Sequence, residues 1–129
     1  MLTAVPRIEG VNDVAPNTMT LHVGTTCTMP SSRTETGTPT GLDCNVNTDG
    51  NSGCGVQATQ ANSYGPGLNS IGGGWYAMER TDDFIKVWFF PRNGNTPSDV
   101  SSGAGSINTS NWVTSIIIPA MWRRNLTMW

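Results

Sequence analysis

Charge is scarce in this sequence. Asp, Glu, Lys and Arg make up 12% of its 129 residues, about half the usual share, and the formal net charge is −2. Apart from the pair Arg123-Arg124 there is no basic cluster, so the counterion release that drives nucleic-acid binding has no source. No nucleic acid is expected as a partner. Long apolar runs are also missing: Val87-Trp88-Phe89-Phe90 and Ile116-Ile117-Ile118 have strand length, far short of the ~18 residues of a membrane span. No membrane association is expected. The opening residues, Met1 to Arg7, lack the charged and apolar regions of a secretory leader, and no signal peptide is expected in this chain. Histidine occurs once, as His22. The three cysteines, Cys27, Cys44 and Cys54, fit neither a paired C-x-x-C metal site nor a redox motif. No carboxylate cluster has calcium-ligand spacing, so neither metal nor cofactor is expected.

What fills the space is 15 Gly and 8 Pro among many Asn, Thr and Ser, with 36% apolar residues. That composition belongs to a secreted all-β protein, and the length suits one domain. An odd cysteine count in such a protein predicts one bridge and one orphan thiol, with truncation of a longer chain as the simplest explanation.

Thr20-Leu21-His22-Val23 alternates as a short strand ending at Gly24, with His22 facing opposite to Leu21 and Val23. Residues 28–55 contain many turn formers and few apolar side chains, so they read as one long loop stapled by a disulfide. The clearest element is a β-hairpin. Gly72 to Arg80 and Phe84 to Pro91 flank the polar turn Thr81-Asp82-Asp83. On its second strand Ile85, Val87 and Phe89 share one face, and Lys86, Trp88 and Phe90 the other. Both faces are apolar enough to be covered, which predicts a second sheet on one side and an aromatic-lined cleft on the other. Two sequons, at Asn108 and Asn125, mark glycosylation sites if the chain is exported.

Near the N-terminus stands Glu9-Gly10-Val11-Asn12-Asp13, followed by Thr20-Leu21-His22 and Cys27-Thr28-Met29-Pro30. Further on come Asp43-Cys44-Asn45, Gly53-Cys54-Gly55-Val56-Gln57, Asn62-Ser63-Tyr64-Gly65-Pro66 and Gly73-Gly74-Trp75-Tyr76-Ala77-Met78-Glu79-Arg80-Thr81, then Phe84 to Asn93, Pro97 to Val100 and Asn111-Trp112. In this order the motifs resemble the fungal laminarinases of glycoside hydrolase family 16, the endo-β-1,3(4)-glucanases. The resemblance implies an all-β, concanavalin-like jelly-roll β-sandwich, here truncated. It also implies an extracellular setting, β-1,3(4)-glucan as substrate and partner, a monomer, and O-glycosyl hydrolysis with retention. By motif the chain divides into a replaced, non-family N-terminus at 1–8, a partial family domain at 9–112 and a divergent tail at 113–129.

The family signature is Glu-x-Asp-x-x-Glu-Gly-Val-Asn-Asp. Retention needs a nucleophile carboxylate and an acid/base about 5 Å apart. Positions i and i+5 of a regular strand face opposite ways, so the resemblance implies a β-bulge that turns the second Glu into the cleft. It assigns the acid/base to Glu9 and puts the nucleophile position at Ala4, with Pro6 where the intervening Asp belongs. An Ala forms no glycosyl-enzyme intermediate, and Pro6 argues against a strand formed there as in the family. The isolated chain is therefore expected to be inactive, either as a non-catalytic glucan-binding remnant or as a gene product without function.

Each assignment has a plainer rival. Glu9 outside its motif is an exposed strand-end carboxylate. His22 is either a satisfied strand histidine or, as the resemblance implies, a cleft-lining one. Trp75 and Trp88 suit the apolar faces of glucose as substrate-binding residues, although core packing of the hairpin explains them more simply. Glu79 and Arg80 alternate faces and make no acid/base dyad.

Overall fold

A computed structural model describes residues 4–9, 16–24, 26–81, 83–112 and 116–118, with 4–9 and 116–118 placed as strands. The strands are β1 (Ala4–Glu9), β2 (Thr18–Val23), β3 (Thr38–Gly41), β4 (Cys54–Gln57), β5 (Gly74–Arg80), β6 (Ile85–Pro91) and β7 (Ile116–Ile118). The described residues also include two short α-helices, α1 (Gly65–Ser70) and α2 (Ser98–Ser101), and three single 3-10 turns at Asp49–Asn51, Ala61–Ser63 and Thr109–Asn111. The strands form two antiparallel sheets, ordered β1-β2-β4-β3 and β5-β6-β7.

The period-two pattern of each strand decides how the sheets meet. In β2, Met19, Leu21 and Val23 are buried while Thr18 and His22 are partly open. In β6, Ile85 and Val87 join that same core, with Val56 of β4, Cys44, Cys54 and the half-buried Tyr76. The two sheets therefore close over one apolar layer, and each fully buried Leu, Ile, Val or Met contributes roughly 1.5–3 kcal/mol. Polar ties lock the layer at one end. Asn17 donates its backbone N–H to Ser63 Oγ at 2.8 Å and its Nδ2 to Tyr76 Oη at 3.1 Å, and the Tyr76 hydroxyl donates to the Ser63 carbonyl. Burial pushes the Tyr76 phenol upward, and the Asn17 and Ser63 bonds partly offset that shift.

The expected hairpin is present: β5 and β6 pair from Gly74↔Pro91 to Arg80↔Ile85, and Thr81 N donates to Phe84 O at 2.9 Å across the turn. The all-β sandwich and one bridge with one orphan thiol are also as expected, and the structure supplies the pairing that the sequence left open, Cys44 with Cys54, leaving Cys27 free and buried.

Three expectations need correcting. Residues 28–55 are not one loop, because β3 and the first residues of β4 lie within them. β3 is apolar-poor yet ordered, since its pairing with β4 supplies the backbone bonds its side chains do not call for. Pro6 does not interrupt β1, which runs through it with Pro6 opposite Leu21. Among the described residues β1 is the outer strand of its sheet, where a missing N–H costs least. The implied bulge is also absent. β1 and β2 keep an unbroken register from Ala4↔Val23 to Glu9↔Thr18.

Candidate functional site

Register decides which positions of β1 share a face with β2. Directly opposed residues of an antiparallel pair lie on the same side of the sheet. Glu9 is opposite Thr18, Arg7 opposite Thr20 and Val5 opposite His22, so these pairs belong to the outer face of the first sheet. Gln57 and Gly55 of β4 continue the Thr18 and Thr20 rows. Ala4 is opposite Val23 and so belongs to the row that faces the core. Glu9 and His22 thus share a face, and positions 4 and 9 do not.

The middle of this face is kept low by glycine. A Cβ on Gly55 would lie 2.6 Å from Thr40 Oγ1 and 3.1 Å from Thr20 Oγ1. A Cβ on Gly53, whose φ is +71°, would lie 2.9 Å from His22 Cε1. Any side chain at either position would collide with the row that carries Thr20 and His22.

His22 is held from the side. Its Nδ1 lies 3.0 Å from Asn51 Oδ1. The amide oxygen can only accept, so Nδ1–H donates to it and the neutral ring presents Nε2 as an acceptor. Asn51 reaches this position through a left-handed run in which Asp49, Gly50 and Asn51 have φ of 48°, 63° and 65°. Non-glycine residues held there mark a built turn. Asn51 was missed as a site residue because it sits in the stretch read as a plain loop. The signal was available: Asp-Gly-Asn is a sequence that tolerates this backbone region.

Beneath the turn, Asp43 accepts from Asn45 N at 2.9 Å and from Thr48 Oγ1 at 2.9 Å, which fixes the chain leading to Asn51. The Cys27 thiol is pushed above its ordinary value, chiefly by burial and secondarily by the Asp43 charge. Among the described residues no group of three His, Cys, Asp or Glu side chains could hold a metal ion.

Trp75 and Trp88 lie elsewhere. Trp88 and Phe90 point away from the core that Ile85 and Val87 enter, and they form a second cluster with Val100, Trp75, Ala77 and Trp112. That cluster covers the outer face of the second sheet, on the opposite side of the sandwich from His22. Trp88 is 2% exposed, with its ring edge-on to Trp112 at 5.0 Å. Trp75 is partly open, and the Arg92 guanidinium covers its ring at 4.4 Å. The structure gathers Trp75 and Trp88 into one cluster on the second sheet, while His22 lies on the first, where the register sets Glu9 opposite Thr18, four positions along β2 from His22.

Comparison with known proteins gives a consistent family. A family model described as "XgeA-like, catalytic GH16 domain" matches residues 5–124. A probable endo-1,3(4)-beta-glucanase of Aspergillus niger is 46% identical over 96 residues, covering 74% of this chain and 12% of that protein. The endo-1,3(4)-beta-glucanase xgeA of Emericella nidulans is 36% identical over 102 residues, covering 79% of this chain and 16% of that one. Among solved structures, GH16 laminarinase 16A of Phanerochaete chrysosporium, described with beta-glucans in its donor and acceptor sites, superposes with a TM-score of 0.86. It is 61% identical, and the match covers 90% of this chain and 40% of that one. An elongating GH family 16 beta-1,3-glucosyltransferase follows at TM-score 0.76 and 39% identity, over 88% of this chain and 37% of that one. The chain spans well under half the length of each of these relatives, within a fold that is part of the laminarinase jelly-roll sandwich. With the family model matched over nearly all of its length, the chain belongs to glycoside hydrolase family 16, among the XgeA-like catalytic domains.

Proposed function

We propose that this chain is a β-1,3(4)-glucan-directed segment of a retaining glucanase, which carries the acid/base position but cannot complete the reaction. The observation that carries the reading is the pairing of Glu9, in its Glu-Gly-Val-Asn-Asp motif, with the strand that presents His22 on one outer face. The neighbouring glycines keep that face low enough for a flat ligand to approach. Glu9 is the general acid that protonates the leaving oxygen, and His22 contacts the glucan through Nε2. The protein is extracellular and monomeric, and takes neither nucleic acid nor membrane as a partner.

Hydrolysis with retention would form a bond between a carboxylate and the anomeric carbon, then release it to water. Position 4 carries Ala, so no carboxylate is available there to form that bond. A general acid alone accelerates by about 10²–10⁴, too little for turnover of a glycoside without the covalent step.

The test is reducing-sugar release from laminarin by the purified chain and its Glu9→Gln variant, beside co-sedimentation of both with insoluble β-1,3-glucan. We expect no sugar from either protein and retention of both on the glucan, with His22→Ala weakening retention. Turnover that Glu9→Gln abolishes would overturn the inactivity. Absence of all retention would overturn glucan binding.

A further inference from the structure

The segment after α2 is fastened to its surroundings in a way that leaves one side chain free. Asn108 N donates to Asp99 Oδ2 at 3.0 Å, and Thr109 Oγ1 donates to Glu79 Oε2 at 3.0 Å, which ties the chain to α2 and to β5. Ile107 and Thr109 line a cavity beside β5, and Asn108 between them does not. Asn108 is exposed, at the start of the 3-10 turn that it caps.

The Asn108 amide is oriented by the residue two places on. Its Oδ1 accepts from Ser110 N at 3.1 Å and from Ser110 Oγ at 2.7 Å. A backbone N–H can only donate, so the amide atom facing it is the oxygen, and Nδ2 is the end left over. Nδ2 has no partner among the described residues. The cap alone accounts for the oxygen's bonds, but it gives the nitrogen no work. Asn108-Thr109-Ser110 is also an Asn-x-Ser/Thr sequon without proline at its centre, the sequence that marks an acceptor of N-linked oligosaccharide. Motif and geometry therefore meet at one atom, an exposed amide nitrogen on an anchored backbone. The other sequon, at Asn125, lies outside the described residues.

We propose that Asn108 carries an N-linked glycan, rooted on the outer side of the second sheet and away from the face of Glu9 and His22. In the transfer, Nδ2 bonds to the anomeric carbon of a lipid-pyrophosphate-linked oligosaccharide. The glycosyl C–O bond breaks, the lipid pyrophosphate leaves, and Nδ2 gives up one of its two protons. The inference rests on the extracellular setting of the proposed function, because only an exported chain meets that donor. A large hydrophilic group at this position displaces no packed side chain and leaves the proposed glucan-facing surface open.

The test sends the intact chain, with Asn125→Gln to silence the second sequon, into the secretory pathway of a fungal host behind a supplied leader. The result then does not depend on how the natural gene product is routed. We expect secreted protein heavier than its polypeptide by the mass of a glycan, with all of that excess lost on adding either Asn108→Gln or Ser110→Ala. Peptide N-glycosidase is expected to release the glycan from the folded chain without denaturant, and peptide mapping then finds an acid side chain at position 108. Mapping locates the glycan even if a variant at the sequon fails to fold. Retention on insoluble β-glucan is expected to be the same before and after release. Secreted Asn125→Gln chain at its bare polypeptide mass would overturn the proposal, as would a glycan that survives Ser110→Ala, or one released only after denaturation. Retention that changes on release would overturn its placement away from the glucan-facing surface. A natural chain found only inside its cells would sink the extracellular setting of the proposed function, while transfer to Asn108 of the exported chain would still establish the site.

Discussion

Cys27 illustrates how one buried group sets a pH dependence. It is 5% exposed in the same apolar layer as the Cys44–Cys54 bridge, and burial, with help from Asp43, holds its thiol above the ordinary value of 9.0. Unfolded chains release the proton near 9.0 while the folded chain keeps it, so the folded state binds more protons between those two values. Stability is then complete below pH 9.0 and is lost as pH rises through the window above it. Tyr76 is shifted the same way from 10.0 and extends the decline. Melting temperature is expected to be flat from pH 7 to about 9 and to fall beyond it. In Cys27→Ala the fall should begin about a unit later, where Tyr76 takes over. A parent and variant with identical alkaline slopes would show that Cys27 carries none of it.

At the scale of elements, the region from Cys27 to Gly55 tests what a sequence can reveal. Its hydrophobic spacing gave no strand, yet the bridge joins Cys44 to Cys54 across a separation of 10 residues at the entry to β4. β4 then pairs with both β2 and β3. The hairpin of β5 and β6 was legible because both strands carry their own apolar period. β3, Thr38–Gly41, was not, because its order comes from backbone pairing with β4 and not from an apolar period of its own. Asn51 was hidden for the same reason, being placed by a left-handed turn and not by a pattern. If the bridge holds this region, reduction removes about 2–4 kcal/mol. Urea titration with and without dithiothreitol is then expected to show a midpoint lower by about 1–2 M at an m-value of about 2 kcal/mol/M. An unchanged midpoint would assign the order of β3 and β4 to packing alone.

For the whole molecule, the sandwich separates what composition and motif reading had combined. Glu9 as an acid/base position and His22, Trp75 and Trp88 as substrate-binding candidates came from the motifs, with core packing the simpler account of the tryptophans, and only the register of β1 on β2 and the burial of β6 place them on two faces. The same register decides whether a missing carboxylate can simply be restored. A motif reading treats Ala4→Glu as repair of the nucleophile. In the continuous pairing from Ala4↔Val23 to Glu9↔Thr18, however, position 4 lies in the core-facing row. The five-residue step spans about 16 Å at ~3.3 Å per residue, against the ~5 Å that retention needs. Without a bulge the new carboxylate would reach neither the correct side nor the correct distance, and a charge in the core-facing row would lower stability. Ala4→Glu is therefore expected to release no sugar from laminarin and to melt below the parent. An active Ala4→Glu variant that loses its activity on adding Glu9→Gln would mean that β1 bulges in solution as its relatives' signature requires, and that the loss of one side chain is all that separates this chain from catalysis.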